Sequence, residues 1–176
     1  MIRQLTLSAV ILIGLAGCST IGSIPAERIA TATLQNASGL SVGTAVLTAA
    51  GNSLSLNLVT AGLPSGGHGL HLHMVGKCER PAFASAGGHL NPSGHLHGTA
   101  NPAGSHLGDL PNLAIDARGA GMVTIQLRGL STDLKAAIFD DDGTAIVIHA
   151  DPDDYKTDPT GNSGARIACG VLQRTG

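Results

Sequence analysis

The chain has 176 residues, 43% of them hydrophobic and 12% charged, with a formal net charge of −2. That length suits one domain, and the modest charge argues against a disordered polar chain. Three aromatic residues and the lack of any Lys or Arg run argue against base stacking and nucleic-acid binding.

The first residues form an address. Arg3 precedes an apolar stretch from Leu5 to Leu15, too short to span a bilayer but suited to an export signal. Leu15-Ala16-Gly17-Cys18 follows and resembles the lipobox of bacterial lipoproteins, in which the cysteine becomes the lipidated N-terminus. The alternative is an ordinary cleavable signal with a chance cysteine. The expected division is a signal peptide over 1–17, a lipidated tether over 18–27 and one domain over 28–176. Such a chain resides in the periplasm or cell envelope. By resemblance to lipoprotein sorting, Ser19 after Cys18 implies a lipid anchor at the outer membrane, and that anchor is the only membrane contact expected. Two cysteines remain, Cys78 and Cys169; an oxidising compartment permits a disulfide between them, two buried thiols being the alternative.

From Arg28 the texture is one of short alternating runs. Ile29 to Leu34, Ser53 to Leu58 and Val123 to Leu127 alternate with period two, which predicts half-buried strands, and Ala145 to Ile148 is a short apolar run. Turn signals separate them at Asn36 to Gly39, Ala50 to Asn52, Pro64 to Gly67, Gly119 to Gly121 and Asp142-Gly143. No stretch after residue 20 shows a helical period. The expected fold is all-β, an antiparallel Greek-key sandwich or barrel. Two irregular segments interrupt it, Gly76 to Asn112 and the Asp-rich Ala150 to Gly164; a loop as long as the first is usually either functional or disordered.

Eight histidines stand out in a chain so poor in charge, and seven of them lie between residues 68 and 106. His71 and His73, two apart on a strand, share one face. His89, His97 and His106 follow along the loop, Asp109 lies three residues on, and His149 ends the last apolar run. These groups exceed the needs of one ion, so two metals sharing a ligand are expected. An all-imidazole set suits copper, and three His with one Asp suit tetrahedral zinc. A histidine-rich surface that scavenges metal loosely is the bland alternative.

These residues resemble the copper/zinc superoxide dismutase family. Gly69-Leu70-His71-Leu72-His73 is similar to its copper-binding strand, Gly87-Gly88-His89-Leu90-Asn91-Pro92 to the segment of its bridging histidine, and His106-Leu107-Gly108-Asp109-Leu110 to its zinc motif. Val147-Ile148-His149-Ala150 with Asp153-Asp154, and Gly161 to Gly170, complete the family order. The resemblance implies copper on His71, His73, His89 and His149, and zinc on His89, His97, His106 and Asp109. His97 is preferred to His95 for its spacing to His106, which leaves His95 on the surface and His68 in a structural hydrogen-bonding role. Asp153 is implied as the carboxylate linking one copper histidine to one zinc histidine. Arg166 and His89 are the implied catalytic residues, the first attracting superoxide and the second holding and passing a proton. Met74 and Leu70 depart from the residues common in the family, and the short loop before Gly164 looks like the bacterial branch. Superoxide is then the substrate, with a homodimer compatible with the family. A non-enzymatic metal carrier and a dizinc hydrolase are the rival readings; Met74-Val75-Gly76 after His73 speaks against the second.

Overall fold

The computed structural model describes residues 25–175; the signal segment, Cys18 and most of the tether lie outside the described residues. Three long strands form a meander: β1 (Glu27–Asn36), β2 (Ser41–Ala50) and β3 (Ser53–Thr60). Leu54, Leu56 and Leu58 on β3 are buried while their neighbours are partly exposed, as the alternation predicts. The remaining strands are β4 (Gly66–His68), β5 (Leu70–His73), β6 (Leu113–Ile115), β7 (Gly121–Gln126), β8 (Ala145–His149), β9 (Arg166–Val171) and β10 (Gln173–Arg174).

All described ladders are antiparallel, in the order β4-β6-β7-β3-β2-β1-β9-β8-β5, with β10 on β1. β4 and β5 stand at the two ends of that order, yet only Gly69 separates them in the chain. The sheet therefore curls into a nearly closed barrel, the all-β fold expected. Leucines from β1, β2, β3, β5 and β6 fill its interior with Ile125, Ile146 and Ile148, and each contributes roughly 1.5–3 kcal/mol by leaving water.

β8 explains its continuous apolar run. Ile146 and Ile148 face the barrel, whereas Ala145 and Val147 pack outward against Phe83, Ala86 and Cys169, so both faces are covered. Cys78 and Cys169 form the expected disulfide, with Cα atoms 5.7 Å apart, and tie the loop after β5 to β9.

One expectation fails. An α-helix, α1 (Ser131–Ile138), occupies part of the connection from β7 to β8. Its buried residues Ser131, Leu134 and Ile138 do follow helical spacing. Two turns give too few positions for a period to emerge, and long-range packing stabilises such a short helix more than local propensity does. The short strands β4, β6 and β10 were equally silent in the sequence.

Candidate metal centre

Period two divides β5 between two tasks. Leu70 and Leu72 enter the barrel core, while His71 and His73 point outward, where only a covering layer can bury them. The loop from Gly76 to Asn112 is that layer, and it docks by backbone hydrogen bonds along the free edge of β5. Leu90 N donates to Leu72 O (2.8 Å), Leu72 N to Gly108 O (3.0 Å) and Met74 N to Gly88 O (3.0 Å). His89 thereby lies opposite His73, and Asp109 opposite His71. Gly108 is required here, because any Cβ would collide with the Leu72 carbonyl oxygen.

His149 arrives from the end of β8. The β8–β9 ladder pairs Val147 with Cys169 and Ile148 with Ala168, then slips so that His149 faces Arg166. This bulge re-aims a side chain beside a site, a common use of the device. Across from His149, Arg166 donates to Phe83 O (2.6 Å) and Gly87 O (2.7 Å).

Seven imidazole and carboxylate groups converge into two sets of four that share His89, each able to hold an ion: His71, His73, His89 and His149, then His89, His97, His106 and Asp109. All seven are buried. Hydrogen bonds on the outside of the first set decide which nitrogens face inward. Asp153 Oδ2 accepts from His71 Nε2 (2.8 Å), Gly87 O from His73 Nδ1 (2.9 Å) and Gly164 O from His149 Nδ1 (3.2 Å). Lone pairs then remain on His71 Nδ1, His73 Nε2 and His149 Nε2. The last two stand 3.4 Å apart with no proton to share, and His71 Nδ1 and His89 Nε2 are buried without any partner. Orphaned buried acceptors are costly unless an ion takes them.

In the second set, Asp109 Oδ2 accepts from the backbone N–H groups of Gly98 (2.8 Å) and His106 (2.9 Å). Its other oxygen faces Nδ1 of His89 (2.9 Å), His97 (3.1 Å) and His106 (3.2 Å), the His97 approach lacking hydrogen-bond geometry. Tetrahedral ligands about 2.0 Å from zinc stand about 3.3 Å from one another, so these spacings match the edges of a zinc tetrahedron. Asp153 joins the sets, since its Oδ1 accepts from His97 Nε2 (3.0 Å) while Oδ2 holds His71.

Electrostatics agree with the donor chemistry. Burial lowers His73 to about 2, His89 to about 4 and His149 to about 3, which keeps these imidazoles neutral and their lone pairs available. Burial alone would raise Asp109, but the hydrogen bonds from His89 and the Gly98 N–H hold its carboxyl well below the usual range. The same contest, won by His71 and His97, keeps Asp153 ionised. The shared residue His89 lines a cavity of about 690 Å³ together with His73, His149 and Arg166.

The descriptions of known proteins fit this geometry. Residues 41–172 match the family model for copper/zinc superoxide dismutase. The chain belongs to the copper/zinc superoxide dismutase family. A superoxide dismutase [Cu-Zn] of Aquifex aeolicus is 43% identical over 81% of this chain and 85% of its own length. One from Caulobacter vibrioides is 38% identical over 97% and 100%. Among solved structures, a SOD-like protein from Bacillus subtilis superposes with a TM-score of 0.76 at 40% identity, over 81% of this chain and 97% of its own.

Within the family fold, every histidine singled out in the sequence finds a place. His97 joins the second set, whereas His95 is exposed, its ring Nδ1 meeting Ser105 O (3.1 Å). His68 is buried between the carbonyl oxygens of His149 (2.8 Å) and Pro64 (2.9 Å). Sequence reasoning missed Asn112, whose side chain accepts from Asp153 N (2.8 Å) and donates to Asp153 O (2.9 Å). It also missed Asp158, which accepts from His97 N (2.6 Å), and Gly161, where a Cβ would strike Asp153 and His97. An Asn and a Gly in a polar loop carry no local signal of such tasks.

Proposed function

We propose that this protein dismutates superoxide: one anion is oxidised to O2, and a second, with two protons, is reduced to hydrogen peroxide. The observation that carries the reading is His89, shared by two sets of four buried donors, with Nδ1 facing Asp109 Oδ1 (2.9 Å) and Nε2 buried without a partner. His71, His73, His89 and His149 would hold copper; His89, His97, His106 and Asp109 would hold zinc. Bound there, copper supplies the one-electron exchange and zinc, lacking redox chemistry, a fixed positive charge.

The chain does the rest. Arg166 fixes a cation at the cavity beside His73 and His149, which draws a small anion inward and concentrates it. His89 Nε2, buried and open to no other protein group, can hold a proton beside that anion and release it to the product. Asp153 keeps a proton on Nε2 of both His71 and His97, so each presents Nδ1 inward. The barrel wall and docked loop keep bulk water from all but the cavity side.

Dismutation by the metal-stripped chain, then with copper, zinc or both restored, tests the reading. Fast turnover that requires copper supports it; tight binding of both metals with no rate above that of free copper identifies a metal carrier instead.

For location, the proposal is a lipid on Cys18 that holds the enzyme in the cell envelope, at the outer membrane, where it would intercept superoxide. The disulfide accords with an oxidising compartment. Fatty-acid labelling that disappears in Cys18→Ser supports the anchor, and labelling that persists rejects it.

A further inference from the structure

One group at the cavity mouth has no part in dismutation. Met74 directly follows His73, is 47% exposed and lines the cavity with His73, His89 and His149. The backbone N–H of Met74 is bonded to Gly88 O, and its Sδ lies 3.7 and 3.9 Å from where Cβ atoms on Gly87 and Gly88 would stand. Gly87 is the residue whose carbonyl oxygen receives both Arg166 and His73, so the thioether lies beside the segment that orients both groups.

A thioether is a soft donor, and soft donors select Cu(I) over harder cations. The same cavity is lined by His73 and His149, whose two proton-free nitrogens, His73 Nε2 and His149 Nε2, stand 3.4 Å apart. Exposed Asp140 and Asp142 line the same cavity and favour an approaching cation. His71 is fully buried and lies outside the cavity lining. By exposure the groups run carboxylate, thioether, then the buried imidazoles.

We propose that Met74 is the outer docking ligand for copper, capturing Cu(I) at the cavity it lines with His73, His89 and His149 before the ion reaches the complete set that includes His71. The step is ligand exchange alone, with no change in oxidation state, and it rests on the copper assignment above.

The test uses the full chain loaded with zinc, given Cu(I) as its bathocuproine complex without oxygen; loss of the chelator colour reports transfer. Met74→Leu conserves shape and should slow Cu(I) uptake severalfold, with the final copper content unchanged and Cu(II) uptake from a glycine complex unaffected. Equal Cu(I) rates, or equal slowing with both oxidation states, would overturn the proposal. A second measurement stops the ion at the mouth: in His71→Ala, X-ray absorption of added Cu(I) should show a sulfur neighbour that vanishes when Met74→Leu is added. A spectrum with nitrogen neighbours only would also overturn it. Dismutation by the loaded wild-type chain is measured on the same samples, so a failed activity is told apart from a failed docking ligand.

Discussion

Arg166 and His73 donate to the same oxygen, the carbonyl of Gly87, at 2.7 and 2.9 Å. One backbone group thus sets both the cation that meets the substrate and the orientation of an imidazole in the first donor set. Arg166→Ala removes the cation, one of the two donors to Gly87 O and the bond to Phe83 O. Dismutation should fall about tenfold or more, the scale of electrostatic steering, and its dependence on ionic strength should flatten. Copper and zinc content, read by elemental analysis, should stay at wild-type values; equal loss of metal and activity would reject the role.

Asp153 is the next point of leverage. Asp153→Ala frees Nε2 of His71 and His97 together and removes the link between the two donor sets. Loss of such an outer partner costs about 10- to 100-fold in metal affinity. Competition with a chelator should show both metals weakened, where a single-site role would weaken one.

The metal-free protein should be acid-sensitive in a defined window. His73, His89 and His149 are held at about 2, 4 and 3, below their ordinary 6.5. Unfolding below pH 6.5 therefore takes up protons that the folded chain refuses. Their contribution is fully present above pH 6.5 and is lost as pH falls towards those folded values, at about 1.4 kcal/mol per pH unit for each proton. Urea midpoints measured from pH 7 to 5 should drop for the metal-free chain and far less for the metal-loaded one. A flat profile without metal would contradict the burial of these rings.

The disulfide closes a loop of 91 residues' separation. Removing such a crosslink costs about 2–5 kcal/mol. Cys78→Ser with Cys169→Ser should lower the unfolding midpoint accordingly, and should also reduce activity in the folded protein, because Phe83, which receives Arg166, packs in the same cluster as Cys169.

Spacing alone exposed two histidines two apart on a strand and a His-x-x-Asp at the loop's end, and the resemblance to the family then implied which residues share an ion. The barrel strands that alternate were legible from spacing as well. What stayed hidden depends on long-range geometry. The slip that sets Arg166 opposite His149 is a property of two paired strands, and neither strand shows it alone. Asn112 holds Asp153 from 41 positions away, and α1 is too short to declare a period.

The docked loop has a second task beyond ligation. β5 pairs with β8 on one side only; its other edge is covered by residues 88–90 and 108–109 of the loop. An uncovered strand edge recruits other strands. The ions that draw His89 and Asp109 onto that edge would therefore also guard the protein against self-association, and losing them would unveil an adhesive border before the barrel itself unravels.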